Sequence, residues 1–455
     1  MKARLLLCAS LLASACAGPR PEAPQAAQVA PPAQWRDGTA TGATEIGDHW
    51  WTAFGDPALD AVVEQALARN VDIAIAAARV EEARAQFALA EAQRLPALTG
   101  TAAGNRQRAL NPFGMDVDQT AGQVQASIAW DTDLFGRLRA ASGAARANLL
   151  ATQAAQDAVR LAVAASAAGG YLQLRALDAR LLVLRDTLVA RENARTLARR
   201  RAETGYSPML DLEQAEADYR ATEQLIPQTE LAIRRQENGL SLLLGDNPRA
   251  IGRGKALAEV GIPTIAASLP SALLRRRPDI AQAEQTLAST DRSLDAARAA
   301  FLPQLQLSAA GGAVASSLLS DPASTFSLGG SLLATLFDSG RLEAQQRGAA
   351  ARRDQAAFAY RRTVLTAFRE VEDSLTEVQR TTEQERMLEA QRDAQERTYR
   401  HATQRYRAGY SPFLEQLDAQ RGLLAAELQL VQVRADRLTA TVRLVQALGG
   451  GWRAE

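Results

Sequence analysis

The strongest constraint on the fold of this chain is an internal duplication. Three sequence landmarks return about 205 residues after their first occurrence: Leu-Pro at 95–96 and 302–303, Gly-Arg-Leu at 136–138 and 340–342, and Gly-Tyr-Ser-Pro at 205–208 and 409–412. This period is far longer than that of a solenoid. The sequence therefore predicts two copies of one unit, built from a helix, a strand pair, a very long helix, a tight turn and a long returning helix.

The long helices are indicated by what interrupts them and by their apolar spacing. Residues 137–204 contain no proline, and a helix over this span would be about 100 Å long at about 1.5 Å per residue. Leucines recur in alternating steps of three and four at Leu174, Leu177, Leu181, Leu184 and Leu188. This spacing is typical of a coiled coil. Alanine, the strongest helix former, is abundant throughout, so a mostly helical protein is expected.

The strand pairs are predicted between the Leu-Pro and Gly-Arg-Leu landmarks, at about 95–134 and about 302–337. Apolar residues there share one parity and polar residues the other, as at Val124, Ala126, Ile128, Trp130, Leu305, Leu307, Phe326 and Leu328. A period of two indicates strands with one polar face. The pattern fits a soluble antiparallel sheet with one wet face, and it also fits a membrane sheet with one face toward lipid.

Each long helix ends in a predicted sharp turn. Glycine suits the left-handed position after a helix, serine can cap the next helix, and proline is tolerated in its first turn. The residues in these roles are Gly205, Ser207 and Pro208 in the first half and Gly409, Ser411 and Pro412 in the second. Pro227 is expected to kink or break the returning helix of the first half.

The N-terminus has the pattern of a secretory signal, predicted over residues 1–15. A short positive segment precedes an apolar stretch that is too short to span a membrane, and small residues lead to Cys16. That pattern is similar to a bacterial lipobox, with Ala13 where leucine is preferred. We expect Cys16 to be lipidated, and the alternative is ordinary cleavage near Ala15. Residues 16–47 are predicted to be an extended tether.

Composition excludes most other classes. The chain has 52 Lys plus Arg against 51 Asp plus Glu, interspersed, so no nucleic-acid partner is expected. The only histidines are His49 and His401, and the only cysteines are Cys8 and Cys16, so no metal site is expected. Nucleotide-binding and hydrolase motifs are also missing from the sequence. We therefore expect neither an enzyme nor a cofactor.

Two strand pairs supply four strands, whereas the smallest membrane barrels need about eight. Open strand edges do not occur in lipid. Either the sheet is soluble, or several copies of the chain share one barrel and close a ring of helices in the same oligomer.

Several motifs resemble the outer membrane factor family of TolC-like efflux channels, and within it the lipoprotein branch that includes OprM and NodT. The resemblance covers nearly all of the mature chain. It is carried by the motifs at 50–57 (Trp-Trp, then Phe54 and Asp-Pro), 133–138 (Asp-Leu-Phe-Gly-Arg-Leu), 274–280 (Leu-Arg-Arg-Arg-Pro-Asp-Ile), 302–303 (Leu-Pro) and 417–421 (Leu-Asp-Ala-Gln-Arg).

The resemblance implies a homotrimer in the outer membrane. The implied fold is α+β and mostly α: a twelve-stranded transmembrane β-barrel with four strands per chain, a mixed equatorial region and a long periplasmic α-helical barrel. The implied partners are a periplasmic adaptor protein, an inner-membrane pump and outer-membrane lipid. The implied role is that of a passive exit duct for drugs and small molecules.

The resemblance also implies roles for single residues. The periplasmic gate is expected at Leu414, Glu415 and Asp418, although acidic residues in a first helical turn also simply complement the helix dipole. Asp211 and Tyr406 match two partners of a link between the hairpins, and ordinary surface packing is the alternative. The third partner is an arginine in the family and Ser411 here. The expected adaptor-docking tips are Gly205, Tyr206, Ser207, Pro208, Gly409, Tyr410, Ser411 and Pro412.

The predicted domain order follows from these assignments. The first repeat is expected at 48–247, an inter-repeat linker at 248–270, the second repeat at 271–449 and a C-terminal tail at 450–455. Two other functions stay open from the residues alone. One is a lipid-anchored periplasmic coiled-coil scaffold, and the other is a lipoprotein hydrolase, for which the sequence offers no catalytic constellation.

Overall fold

The computed structural model describes residues 20–36, 47–110, 112–266 and 269–452. The predicted signal peptide and Cys16 lie outside the described residues. The helices, in chain order, are α1 (Pro57–Arg69), α2 (Val71–Ala92), α3 (Arg137–Glu203), α4 (Met209–Glu223), α5 (Leu225–Leu243), α6 (Pro270–Leu273), α7 (Pro278–Ala299), α8 (Arg341–Arg407) and α9 (Phe413–Ala447). The strands are β1 (Ala97–Leu110), β2 (Asp116–Asp131), β3 (Gln304–Ser316) and β4 (Ala323–Leu333).

The four strands form one antiparallel sheet in the order β1-β2-β3-β4. Its register places Ile128 opposite both Leu98 and Ala309, and Ala309 opposite Leu328. Because side chains alternate across a strand, this register gathers the apolar parity of all four strands on one face. The predicted alternation is thereby confirmed. Polar side chains share the other face, where the Thr99 and Ser127 hydroxyls lie 2.8 Å apart.

The chain divides into two compact units. The first holds the sheet, with Arg79–Gln153, Gln282–Arg362 and the described part of Met1–Gln28. In this unit the N-terminal segment is held against helices. Arg353, almost fully buried in α8, donates to the carbonyls of Pro21 and Glu22, both at 2.9 Å, and Arg20 binds Asp291 at 2.6 Å. This part of the predicted tether is therefore docked.

The second unit comprises the described parts of Val29–Ala78, Ala154–Ala281 and Thr363–Glu455, and it contains a large apolar core. Trp50, Trp51 and Phe54 pack edge to face in a short 3-10 helix, where aromatic rings bury much area. Tyr171 of α3 lies fully buried beside them in the same core and donates to Asp56 Oδ2 at 3.0 Å. The Tyr171 hydroxyl also accepts the Gly254 N–H at 2.9 Å, which fixes the inter-repeat linker on α3.

The tip glycines and the break near Pro227 occur as predicted. Gly205 has φ +73° and Gly409 has φ +82°, and α4 gives way to α5 at Gln224, three residues before Pro227. The predicted serine caps are wrong. Extended Pro208 and Pro412 occupy the N-cap positions, which places Ser207 and Ser411 one residue too early to cap. Within the described residues both serine Oγ atoms are buried without a hydrogen-bond partner.

Among the helices of the described residues, none combines the length and the hydropathy needed to span a membrane.

Candidate functional site at the helical hairpin tips

The two helical hairpins of the second unit end in the same backbone motif. After α3, the Tyr206 N–H donates to the Arg201 carbonyl at 2.8 Å, and after α8 the Tyr410 N–H donates to the Arg405 carbonyl at 2.9 Å. Each bond passes over a glycine with positive φ, which is the Schellman arrangement for ending a helix. The duplicated sequence thus folds twice into the same tight turn.

One arginine joins the two tips. Arg201, in the last turn of α3, donates to the carbonyl oxygens of Tyr406 at 3.0 Å and of Arg407 at 2.9 Å. Its guanidinium also lies 4.5 Å from the centre of the Tyr406 ring, a cation–π distance. The last carbonyls of a helix have no partner inside the helix and carry its negative dipole end. Arg201 therefore satisfies the end of α8 with a charge of the favourable sign.

A small apolar core lies beneath this contact. It contains Ala194 and Ala198 of α3, Ala215 of α4, Tyr406 of α8, and Phe413 and Leu417 of α9. The rings of Tyr406 and Phe413 lie 5.4 Å apart. Burial raises the pKa of Tyr406, and the positive charge of Arg201 opposes that shift. The tips are therefore packed together, with one tyrosine shared between the apolar core and the arginine contact.

Asp211 lies half-buried in the first turn of α4. Burial raises its pKa, and the charge of Arg201 partly lowers it again. Asp211 and Tyr406 form no hydrogen bond with each other in the described part of the chain, although each lies within electrostatic range of Arg201. Arg201 thus supplies a positive charge close to both residues.

The three gate candidates lie in the first turns of α9 but in different surroundings. Leu414 is 50% exposed, and Asp418 is exposed one turn later on the same face. Glu415 is turned toward α8, where Arg405 Nε lies 3.3 Å from its carboxylate. Asp418 makes neither a hydrogen bond nor an ion pair with any described residue. Of the two carboxylates, only Asp418 is left without a direct countercharge.

A buried ion cluster lies farther along the same helices. The side chain of Asp218 in α4 is 8% exposed, and its Oδ1 accepts from Arg421 Nε at 3.1 Å and Nη2 at 2.7 Å. Arg191 of α3, whose side chain is 6% exposed, donates to the Asp218 carbonyl at 2.6 Å and also to the Thr222 hydroxyl. Burial lowers the pKa of Arg191, and the negative charge of Asp218 opposes that shift.

Arg201, Arg191 and Asp218 were not among the residues predicted from the sequence. A signal for Arg201 was present in the duplication, because Arg201 and Asp211 recur 204 residues later as Arg405 and Glu415. The same pair of charges thus flanks both turns. Asp218 had no such signal, since its counterpart in the second half is Gly422.

The predicted docking residues surround the two turns. Of these residues, Tyr206 is largely exposed at the first tip and Tyr410 is 80% exposed at the second. Met209 and Leu210, which were not predicted, are also largely exposed beside the first tip. Ser207 and Ser411 are more buried than these. No group of three or more His, Cys, Asp or Glu side chains suited to a metal occurs among the described residues.

Comparison with known proteins identifies the family. The model of the outer membrane efflux protein family matches twice, at residues 62–246 and 269–450, which agrees with the duplication. The pyoverdine export outer membrane protein OpmQ of Pseudomonas putida is 34% identical over 463 residues, covering 99% of this chain and 97% of that protein. The outer membrane protein OprJ of Pseudomonas aeruginosa is 34% identical over 447 residues, covering 95% and 91%.

A solved structure agrees with these relatives. The outer-membrane channel OprN superposes with a TM-score of 0.87 at 29% identity, covering 96% of this chain and 99% of that one. The predicted mostly helical α+β fold with four strands per chain is confirmed. Because the family consists of outer-membrane efflux channels, the expectation of a non-enzymatic protein is confirmed as well. The chain belongs to the outer membrane efflux protein family and is the outer-membrane channel component of an efflux system.

Proposed function

We propose that three copies of this chain form the passive exit duct of a tripartite efflux system, and that the helical hairpin tips close its periplasmic entrance. The observation that carries this proposal is the arrangement at the tips. Arg201 joins the two hairpins of one chain, while Leu414 and Asp418 are exposed on α9 and Asp418 forms neither a hydrogen bond nor an ion pair with the described residues. Energy for export comes from the inner-membrane pump, and the cargo is drugs or other small molecules.

The exposure of the sheet in a single chain supports an assembly of several copies. Phe326 and Leu328 of β4 are 87% and 81% exposed, and every residue of β1 and β4 is exposed in a single chain. Large apolar side chains on an open sheet are costly in water. Lipid accepts them only when the free edges of β1 and β4 are paired. Three copies supply twelve strands and close the sheet.

The exposed face of α9 supports an entrance gate. In a threefold assembly Leu414 and Asp418 each form a ring, the first apolar and the second negative. A ring of carboxylates favours cations and repels anions. Glu415 contributes less to this ring because Arg405 already compensates its charge. We therefore assign the apolar ring to Leu414 and the charged ring mainly to Asp418.

The exposed tips support a docking role. Tyr206, Met209, Leu210 and Tyr410 present apolar and aromatic area next to turns that are closed by backbone hydrogen bonds. Aromatic residues and methionine are enriched in protein interfaces. We propose these tips as the contact with the periplasmic adaptor protein. Lipidation of Cys16 and the domain boundaries at 48–247, 248–270 and 271–449 belong to the same proposal.

Planar-bilayer recording of the purified trimer tests the gate. We expect wild type to conduct weakly with a preference for cations. Asp418→Ala is expected to lose that preference, measured as the reversal potential in a potassium chloride gradient. Asp436→Ala is the matched control because it lies 18 residues, or about five turns, farther along the same face of α9. It removes a carboxylate of the same helix about 27 Å from Asp418 and still farther from the tip.

The outcomes separate the parts of the proposal. Loss of selectivity in Asp418→Ala alone supports the gate. An equal change in both variants would show that selectivity arises elsewhere in the duct. A water-soluble protein that neither conducts nor forms trimers would support a periplasmic scaffold instead.

A further inference from the structure

Arg421 has two carboxylates within its reach. One is Asp218, buried in α4 on the other hairpin, and the other is Asp418, three residues earlier on its own helix. Side chains three apart on a helix are neighbours, with Cβ atoms about 5–6 Å apart. In the structure Arg421 donates hydrogen bonds from Nε and Nη2 to Asp218 Oδ1, at 3.1 and 2.7 Å, and donates none to Asp418.

Asp218 is well placed to hold this arginine. Its carboxylate is shielded from water, and Arg191 Nη2 approaches its second oxygen at 3.6 Å. Both Arg421 donors reach the single oxygen Oδ1, and hydrogen bonds between two ionised groups are roughly twice as strong as those between neutral groups. The bond to Asp218 also raises the pKa of Arg421 more than the nearby charge of Asp418 does. Arg421 therefore binds the buried carboxylate of Asp218 and not the exposed carboxylate of Asp418.

We infer that Asp218 is a positioning residue for the gate: it withdraws Arg421 from Asp418 and so leaves the Asp418 carboxylate uncompensated at the entrance. This inference rests on the proposed function, in which Asp418 forms the charged ring. Without Asp218, the same arginine would turn to Asp418 and neutralise the ring from within each chain. The cation preference of the duct then depends on a side chain that is buried between the helices of one chain.

The test compares the ratio of potassium to chloride permeability in five forms of the full trimer: wild type, Asp418→Ala, Asp218→Asn, Arg421→Gln and the double variant Asp218→Asn with Arg421→Gln. We expect Asp218→Asn to lower the ratio roughly twofold or more, toward Asp418→Ala, because a countercharge within a few ångströms offsets the carboxylate. Arg421→Gln is expected to match wild type, and the double variant to recover the wild-type ratio. Glu223→Gln is the control, since it breaks an exposed ion pair with Arg220 on the same helix.

Recovery in the double variant separates repositioning from simple damage. If Asp218→Asn acted only by loosening the hairpins, removing Arg421 would not restore the ratio, and the inference would be overturned. A wild-type ratio in Asp218→Asn would also overturn it, while Asp418→Ala still reported on the gate itself. If Asp418→Ala alone proves silent, the proposed gate is wrong and this inference falls with it.

Arg421→Gln keeps the inference testable if Asp218→Asn does not assemble. Arg421 is half exposed, so its replacement leaves the buried Arg191 and Asp218 together. An unchanged ratio in Arg421→Gln supports the inference. A marked rise would mean that Arg421 already neutralises Asp418 in the wild-type protein, which contradicts it.

Discussion

At the scale of single residues, the two tip glycines differ although they occupy the same turn. Both have positive φ, which costs other residues about 1–2 kcal/mol. A Cβ on Gly205 would meet nothing within 4 Å, whereas a Cβ on Gly409 would lie 2.8 Å from the Tyr206 hydroxyl. The duplication explains the shared backbone, and the packing of one tip on the other explains the difference.

We predict that Gly409→Ala and Gly205→Ala each destabilise the protein by about 1–2 kcal/mol, because alanine is disfavoured at positive φ and the Tyr206 hydroxyl, at the end of an exposed side chain, can move away from a Cβ at position 409. Urea unfolding followed by circular dichroism at the helical band measures both. Gly239→Ala is the control. It lies exposed inside α5 with open space around it, so alanine is expected to stabilise that helix by about 0.5–1 kcal/mol. A much larger loss at Gly409 would show that the Tyr206 side chain cannot move away, and no loss at either glycine would contradict the cost of positive φ.

Tyr171 gives a prediction in alkaline solution. Burial beside Asp56 raises its pKa from the ordinary value of 10.0 to about 12. The folded protein therefore keeps a proton that the unfolded chain releases. Its contribution to stability is complete below pH 10 and is lost as the pH rises through about 12.

We expect Tyr171→Phe to lower stability at neutral pH by about 1–3 kcal/mol, since Asp56 and the Gly254 N–H lose a buried partner. It should also flatten the decline in stability between about pH 10 and 12, measured by urea unfolding across this range. Tyr410→Phe, at an exposed tip, is the control and should keep the wild-type profile. A decline that persists unchanged in Tyr171→Phe would assign it to other groups.

At the scale of elements, the charged pairs between helices contribute unequally to stability. Glu385 of α8 is 3% exposed and binds Arg434 at 2.9 Å and Arg437 at 2.6 Å, both in α9. Glu377 of α8 binds Arg443 of α9 at 2.6 Å, but both side chains are open to water. Buried charges without a partner are strongly destabilising, whereas exposed pairs contribute little.

Glu385→Ala is accordingly expected to destabilise the pairing of α8 with α9 by about 3–5 kcal/mol, because it leaves two partly buried arginines uncompensated. Glu377→Ala is the matched control at about 0–1 kcal/mol. The midpoint of urea unfolding measures both. Similar effects of the two changes would show that burial does not govern these pairs.

Arg201 offers a second prediction at this scale. Arg201→Ala removes two charge-assisted hydrogen bonds to the end of α8, each worth about 1.5–3 kcal/mol. Loss of about 1.4 kcal/mol changes an equilibrium tenfold, so we expect the open population of the tips to rise tenfold or more. Bilayer conductance measures the rise.

Arg200→Ala is the control for this change, because Arg200 is exposed in the same helical turn and forms no side-chain bond within the described residues. A conductance that rises equally in both variants would point to the net charge of the tip. A conductance that rises in neither would remove Arg201 from the closure.

At the scale of the whole molecule, attachment to the membrane has two sources in the proposal. The sheet exposes apolar side chains for lipid, and an acylated Cys16 would add a second anchor. A single acyl chain gives only weak, reversible membrane binding. The strands should therefore hold the protein in the membrane without the lipid.

We predict that the mature protein begins at Cys16 and carries acyl chains, as shown by intact mass and by incorporation of labelled palmitate. Cys16→Ser should abolish the label and still leave trimers in the outer-membrane fraction. Ala17→Ser leaves the cysteine in place and is the control. A mature chain with an unmodified thiol, cleaved near Ala15, would overturn the lipidation.

The order of the amino acids was enough to predict the duplication, the class and approximate bounds of the helices and strands, the parity of the sheet faces and the glycine turns. These features depend on residues close along the chain, through helical and strand periodicity and through backbone preference. The prediction of the serine caps was wrong because a shift of one residue is enough to move a side chain away from the N-cap position. The contact of the N-terminal segment with α8 could likewise not be predicted from the sequence, because Arg353 lies more than 330 positions from the carbonyls that it binds.

Which partners the charged residues bind depends on the tertiary structure. Arg201 bonds to a carbonyl 205 positions away, and Arg421 bonds to a carboxylate 203 positions away. Each has other charged residues nearer along its own helix, so sequence spacing could not select between them. The choice follows from which helices pack side by side and from burial, which strengthens a paired charge and penalises an unpaired one.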